Sequence, residues 1–527
     1  MTTKITFHGA AGTVTGSCYR VEHGQGSFII DCGLFQGNKT IRALNYEPFP
    51  FDPSKVDYML LTHAHIDHAG LIPKLYANGF RGALHATAPS IDLLSFMLPD
   101  SAHIQESEVE RLNRRRRRSG EDPLEPIYTR RDADRALRHA EGHDRDVWFE
   151  PGPGVRARYW NAGHILGSVS IEVEIDDADG DRPLRLLFSG DLGPDEKVFH
   201  LAPDAPAGFD YILCESTYGD REREDATVEE RRAALKREIR DAMKAGGNLV
   251  IPSFAVERSQ ELLHDIGVLM AQGEIRERPV FLDSPLAHNV TNVFIKHAHT
   301  LDDIDIDEED LFRDPNFRLV ESVDESKSIN RIKSGAIIMA ASGMCEAGRI
   351  KHHLLNNIWR ENATILFVGF QAPGTLGALI RDGEEEVRIH GKTLKVRARI
   401  RSIGNYSAHA DQSELLGWIE ERLPAHGGIF LTHGDDDARE VLGTLIDEKT
   451  GGKTKVWKPT LGHSFTLTPS KAALTDEKPP VSHDDMIRDW DNDYAAFTLA
   501  LERKLKGLRD PDQKRALITR LKAVLNG

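Results

Sequence analysis

The stretch Tyr58-Met59-Leu60-Leu61-Thr62-His63-Ala64-His65-Ile66-Asp67-His68 runs an apolar segment directly into three imidazoles and a carboxylate. A short apolar run closed by polar residues is how a buried strand presents side chains at the edge of a sheet. Imidazole nitrogen with carboxylate oxygen suits zinc, and ligands at this density read as a metal site. Along an extended tip, alternation sends His63 and His65 to one side and Asp67 and His68 toward a second position, so two metals fit. One loop cannot complete two coordination shells, so the fold has to deliver further ligands to the same edge.

Four other strand-like runs lead to Asp or His. Phe28-Ile29-Ile30 enters Asp31-Cys32-Gly33, Asn161-Ala162-Gly163 precedes His164, Leu186-Leu187-Phe188-Ser189-Gly190 precedes Asp191, and Ile429-Phe430-Leu431-Thr432 precedes His433. Singly, His164 reads equally as a hydrogen-bonded loop residue and Asp191 as a turn former. In order along one chain they reinforce one another. The set Asp31, His63-x-His65-x-Asp67-His68, His164, Asp191 resembles the metallo-β-lactamase fold. Glu215-Ser216-Thr217-Tyr218-Gly219, Ser407-Ala408-His409-Ala410-Asp411 and Leu431-Thr432-His433-Gly434-Asp435 resemble motifs A, B and C of the β-CASP nucleases. That group includes the endonuclease of the cleavage and polyadenylation specificity factor and bacterial RNase J. The resemblance runs from residue 5 to residue 467.

The resemblance implies two zinc ions per chain. One would be held by His63, His65, His164 and Asp191, the other by Asp67, His68, Asp191 and His433, with Asp191 bridging. Asp31 would sit just behind, hydrogen-bonded to a ligand or to the attacking water; its plainer reading is a turn aspartate before Cys32-Gly33. The implied activity is a zinc-dependent ribonuclease that hydrolyses single-stranded RNA by a two-metal hydroxide mechanism, in RNA processing or turnover. Two divalent ions answer the chemistry, because they make a nucleophile at neutral pH and cancel charge on the phosphoryl oxygens. Catalytic roles fall to His409, Glu215, Asp31 and Asp67. His409 would be the general acid, with Glu215 favouring its charged form; the plainer readings are a phosphate-binding histidine and a core carboxylate paired elsewhere. His433 at motif C resembles the RNA-directed members, whereas the DNA-repair members typically carry an apolar residue there. The alternatives are a catalytically idle RNA-binding scaffold, or a zinc hydrolase acting on DNA or small esters. Endonuclease and 5′-to-3′ exonuclease are not separable from these residues.

By the same resemblance the fold class is α/β, an αββα metallo-β-lactamase sandwich with an inserted parallel-sheet β-CASP domain and a helical C-terminal tail. Residues 1–212 form the first part of the sandwich, 213–394 the insert, 395–468 the return segment, and 469–527 a linker and tail. From Tyr218 to Lys392 strands and helices alternate over short connections, as a parallel sheet covered on both faces requires. Within the insert, Ser342-Gly343 and Gly369 to Thr375, with Gln371, lie at strand-to-helix turns. Their amides could receive phosphate, although glycine there is ordinarily packing geometry. No GxxxxGK[ST] signature accompanies them, so ATP use has no support.

A net charge of −16 argues against indiscriminate nucleic-acid binding. A local basic stripe can still guide a phosphate chain, and Arg111 with Arg114, Arg115, Arg116, Arg117 and Arg118 is the obvious one. It reads equally as a solvated helix face answering Glu106, Glu108 and Glu110. Four cysteines without CxxC spacing fit reduced, buried thiols. With no apolar run of about 18 residues and no signal-peptide pattern, the expectation is a cytoplasmic protein off the membrane. Thr475 to Asp485 reads as a linker. Beyond it, Met486, Tyr494, Phe497, Leu501, Leu505 and Leu508, then Leu517, Leu521 and Leu525, recur at helical spacing. Those two helices either pack on the body or mediate a homodimer.

Overall fold

The computed structural model describes residues 2–176, 182–223, 227–302, 310–369, 371, 374–404, 406–477, 501, 504, 508 and 510–526. Two sheets, of eight and seven strands, pack face to face. Between them lies an apolar layer that includes Phe7, Val21, Phe28, Leu60, Val173, Leu186, Tyr211, Leu213 and Phe430. The period-2 rule decides which residues enter it. Leu60 faces inward while Met59 and Leu61 face outward to helices; Leu186 faces inward while Leu187 meets Trp418, Leu415 and Leu442 of the opposite helical layer. Strands buried on both faces read as unbroken apolar runs, and the result is a helix–sheet–sheet–helix sandwich.

Parallel pairing then gathers the polar strand ends. Gly26–Ile30 pairs parallel with Tyr58–Leu60, so Asp31 and the histidine segment emerge at one edge. In the other sheet Leu184–Phe188, Tyr211–Glu215 and Gly428–Thr432 run parallel and adjacent, which brings Asp191, Glu215 and His433 to a common edge. His164 arrives differently, in the connection between the antiparallel strands Val155–Asn161 and Val169–Ile175.

A third, six-stranded sheet is parallel throughout and belongs to the insert. Here too alternate residues divide, with Leu249 and Ile251 on one face and Val250 on the other. The insert docks on the sandwich through the helix Pro285–Lys296, which meets the long helix Ala88–Ser119, and one apolar cluster runs through both units.

Leu213 to Glu215, assigned above to the insert, belong to the strand Tyr211–Glu215 of the seven-stranded sheet, so the insert begins beyond Glu215, and two further expectations shift. Arg399–Ser402, assigned above to the return segment, is hydrogen-bonded parallel to Thr364–Phe367 and closes the insert's own sheet. Thr475 to Glu477 belong to the strand Lys471–Glu477, paired with His463–Thr468, so that part is sheet rather than linker. Of the tail, the second helix is present as Pro511–Asn526, while Met486, Tyr494, Phe497 and Leu505 lie outside the described residues. All four cysteines are buried and free, and no described helix is long and apolar enough to cross a membrane.

Candidate metal centre

Beyond Tyr58–Leu60 the chain does not stay extended. Ile66–Ala69 is a turn of helix, with the amides of His68 and Ala69 bonded to the His65 carbonyl at 3.0 and 2.9 Å. Pleat alternation therefore separates only His63 from its neighbours; Asp67 and His68 reach their position by helical rotation. Two ligand groups still result. His63, His65, His164 and Asp191 offer atoms within 4.8 Å of one another, and so do Asp67, His68 and His433.

Hydrogen bonds on the outward side of His63, His68, His164 and His433 fix where their lone pairs point. His164 Nδ1 lies 2.8 Å from the Ala408 carbonyl, which only accepts, so Nδ1 carries the proton and Nε2 is bare. His68 Nδ1 donates to the Asp31 carboxylate at 2.7 Å, leaving Nε2 bare. The Thr62 hydroxyl gives its proton to Asp31, 2.9 Å away, and thus accepts from His63 Nδ1 at 3.0 Å. Thr217 Oγ1 donates to the His433 carbonyl and accepts from His433 Nδ1 at 3.1 Å.

The bare nitrogens converge. His63 Nε2 and His164 Nε2 stand 3.2 and 3.1 Å from His65 Nδ1, and both are 3.5 Å from Asp191 Oδ2. His68 Nε2 and His433 Nε2 are 3.2 Å apart, with Asp67 Oδ2 3.6 Å from His433 and Asp191 Oδ1 3.2 Å from His68. Asp191 Oδ1 is buried without a hydrogen-bond donor among the described residues. Buried lone pairs aimed at one another repel unless a cation lies among them. Zinc–nitrogen bonds of about 2.0–2.1 Å put the donors of a tetrahedral site roughly 3.3 Å apart, which is the spacing present. The donor set fits divalent metal.

Electrostatics follow the same division. Burial, then the charge of neighbouring imidazoles, holds His63 and His164 well below the ordinary histidine range, and burial lowers His65 to about 4. Burial opposes charge on His68 too, but the Asp191 and Asp31 carboxylates raise it well above that range, so in the metal-free chain a proton on Nε2, facing Asp191, holds the place a cation would take. Against burial, His433 and His68 hold Asp191 well below a normal carboxylate.

His409 stands beside this centre. Its ring lies 4.6 Å from that of His164, and Nδ1 is 3.1 Å from Glu215 Oε1 and 4.0 Å from Asp191 Oδ2. Glu215 also accepts the Leu192 amide at 2.6 Å and the Thr217 amide at 3.2 Å. Burial works against a charged His409, yet Glu215 raises its affinity for a proton above the ordinary value. The side chain is 21% exposed, so Nε2 is the atom left to meet a substrate.

The phosphate-loop residues are placed differently. Gln371 is buried and donates to the Gly343 carbonyl at 3.0 Å, so these two loops hold each other. A Cβ at Gly343 would lie 2.6 Å from the Phe254 ring, which accounts for that glycine by packing. Ser342 Oγ accepts the Ala347 amide at 3.4 Å. Arg114 and Arg115 are exposed near the end of Ala88–Ser119, whereas Arg111 pairs with Glu108 and Arg116 with Glu121.

Sequence reasoning missed Thr62, which looks like one more strand residue, and the buried network on the His164 loop. Glu257 of the insert accepts the Leu166 amide at 3.0 Å and lies 2.7 Å from His200 Nε2 and 3.6 Å from Lys197 Nζ. Lys197 donates in turn to the His164 carbonyl. A Glu at a presumed helix start gives no sequence signal of a partner ninety residues away.

Comparison with known proteins places these segments. The chain matches the metallo-beta-lactamase superfamily over residues 11–228, the Beta-Casp domain over 259–380, and the Zn-dependent metallo-hydrolase RNA specificity domain over 393–459. It is 34% identical to Ribonuclease TTHA0252 of Thermus thermophilus over 455 residues, 84% of this chain and 96% of that protein. Transcription termination factor FttA of Methanosarcina mazei is 26% identical, over 86% of this chain and 70% of its own length. An RNase J-like protein of Methanocaldococcus jannaschii is 27% identical, over 82% of this chain and 92% of its own.

Proposed function

Because this chain belongs to the β-CASP family of metallo-β-lactamase-fold hydrolases, we propose that it is a zinc-dependent ribonuclease cleaving phosphodiester bonds of single-stranded RNA. The supporting observation is the convergence of buried lone pairs and Asp191 on two adjoining positions beside the Glu215–His409 pair. One zinc would be held by His63, His65, His164 and Asp191, and a second by Asp67, His68 and His433 with Asp191 between them. When bound, two such ions supply a nucleophile from water at neutral pH and offset phosphoryl charge.

The chain's own residues do the rest. Asp31 and Thr62 hold His68 and His63 in the tautomers that aim their lone pairs inward. The Ala408 carbonyl does the same for His164 and belongs to the segment carrying His409, so ligand and acid are set by one loop. Glu215, itself fixed by two amides, keeps the proton on His409 Nδ1 and stabilises the imidazolium. His409 Nε2–H then hands its proton to the leaving oxygen and recovers it from solvent. The insert reaches this edge through Glu257, bonded to the Leu166 amide two residues from His164, and a site set between two units would suit a single strand rather than a duplex.

Incubation of purified, metal-analysed protein with end-labelled and internally labelled RNA tests this. Cleavage should stop with a chelator and return with zinc. Two metals bound without any RNA cleavage would point to a scaffold, and faster turnover of DNA or of a small ester would point to another hydrolase.

A further inference from the structure

Just before the helix Arg258–Ala271, the insert turns sharply at Glu257, which takes a left-handed φ of +67°. That conformation is strained for a residue with a side chain. It sends two consecutive side chains to different places. Glu257 reaches into the sandwich, to Leu166 and His200. Arg258 instead lies over the Phe254 ring, 4.9 Å from its centroid, and donates Nε–H to the Tyr406 carbonyl at 2.9 Å.

The far end of Arg258 is unspent. Although the residue is half-buried, Nη1 and Nη2 have no hydrogen-bond or ion-pair partner among the described residues. Its neighbour Arg231, by contrast, pairs with both Glu261 and Asp265. The backbone is cleared around Arg258: a Cβ at Gly369 would sit 2.9 Å from Cζ and Nη1. Gly343 likewise admits Phe254, the ring on which the guanidinium rests. Tyr406 begins the run Ser407-Ala408-His409. Tyr218 has its hydroxyl 3.2 Å from Ser407 Oγ and its ring 5.9 Å from that of His409. The free fork is thus one side chain removed from the proposed acid. A planar guanidinium held rigid by stacking and one backbone bond, with both terminal nitrogens left over, matches a phosphate diester.

We propose that Arg258 seats a backbone phosphate neighbouring the scissile one, through Nη1 and Nη2, and so sets the register of the strand in the cleft. This rests on the nuclease reading and goes beyond it. The two glycine-containing loops, on this account, shape the seat by letting Phe254 and Arg258 approach rather than by donating amides.

Equilibrium binding of fluorescent oligoribonucleotides to the zinc-loaded His409→Ala protein tests it without turnover. Single methylphosphonates, which remove one phosphate charge, are scanned along the strand. One position should weaken binding about tenfold, as loss of a charge-assisted pair does. Arg258→Gln should bind unmodified RNA about tenfold more weakly, with a salt slope smaller by about 0.7, and that position's penalty should vanish. Arg258→Lys, which keeps the charge, should recover part of the affinity and guards against a folding defect. Unchanged affinity in Arg258→Gln, or lower affinity with every methylphosphonate penalty intact, overturns the proposal. If the seat is found but protein with His409 intact cleaves no RNA, the nuclease reading fails and the seat stands.

Discussion

Asp31 has a left-handed φ of +59°, and its carboxylate folds back to take the Thr62 amide at 2.9 Å, the Thr62 hydroxyl and His68 Nδ1. A strained backbone held by these three hydrogen bonds and a fourth from the Ser17 hydroxyl at 3.3 Å is spent on orientation, since the side chain has little left to offer a substrate. Asp31→Asn keeps the shape but gives His68 a neutral partner. Zinc at the Asp67/His68/His433 position should then bind about 10–100-fold more weakly, as for other outer partners of ligands, while the His63/His65/His164 position keeps its metal. Stoichiometry from competition with a chromophoric chelator reads the difference. His409 should behave in the opposite way. His409→Ala removes a proton donor but no ligand, so turnover should fall about 10²–10⁴-fold with two metals still bound. Loss of metal in that variant would transfer His409 to the ligand set.

The elements explain how much of this was legible. Parallel strands delivered Asp31, His63, Asp191 and His433 to their edges because each run was apolar on both faces, a pattern that shows in sequence. The helical turn Ile66–Ala69 left no such pattern, being four residues long. The place of Arg399–Ser402 in the insert's sheet depends on its partner Thr364–Phe367, which alternation within the segment cannot name. Thr62 and Glu257 act through tertiary partners, and so were silent. The arginine stripe was visible, but not its reach. Ala88–Ser119 starts against the His164 loop, where Thr87 and Ser90 donate to the Gly167 carbonyl. Arg114 lies 26 residues beyond Ala88, so at 1.5 Å per residue it is at most roughly 39 Å away along the helix. Arg114→Ala with Arg115→Ala should therefore leave a short oligonucleotide unaffected. A longer RNA should lose affinity, with a salt slope smaller by about 1.4 for two contacts. No change with either RNA would make the stripe a solvated helix face.

At the scale of the whole molecule, the insert is bonded to the loop that carries His164, so its docking bears on the geometry there. The joint is ionic as well as apolar. Glu257 from the insert meets Lys197 and His200 from the sandwich, with the Lys197 and Glu257 side chains 1% and 2% exposed. Burial alone would raise the Glu257 carboxyl; the His200 and Lys197 charges instead bring it to about 2 from an ordinary 4.5. A carboxylate depressed in the folded state contributes stability above its unfolded value, and that contribution is lost as pH falls through its folded value. From 4.5 down to about 2, the joint should give up on the order of 3 kcal/mol. Glu257→Gln removes the same charge at every pH and strands Lys197 without a counter-charge, at a cost of about 3–5 kcal/mol near neutrality. The stability gap between the two proteins, measured by denaturant unfolding of the metal-free chain, should therefore be widest above pH 5 and narrow steadily toward pH 2. A gap independent of pH would assign the variant's defect to packing at the strained turn. Because Lys197 also holds the His164 carbonyl, Glu257→Gln should in addition weaken metal at the His63/His65/His164 position. That loss, absent from a variant that disturbs only the apolar contact between the two units, would show that the insert tunes the metal centre through this one buried carboxylate.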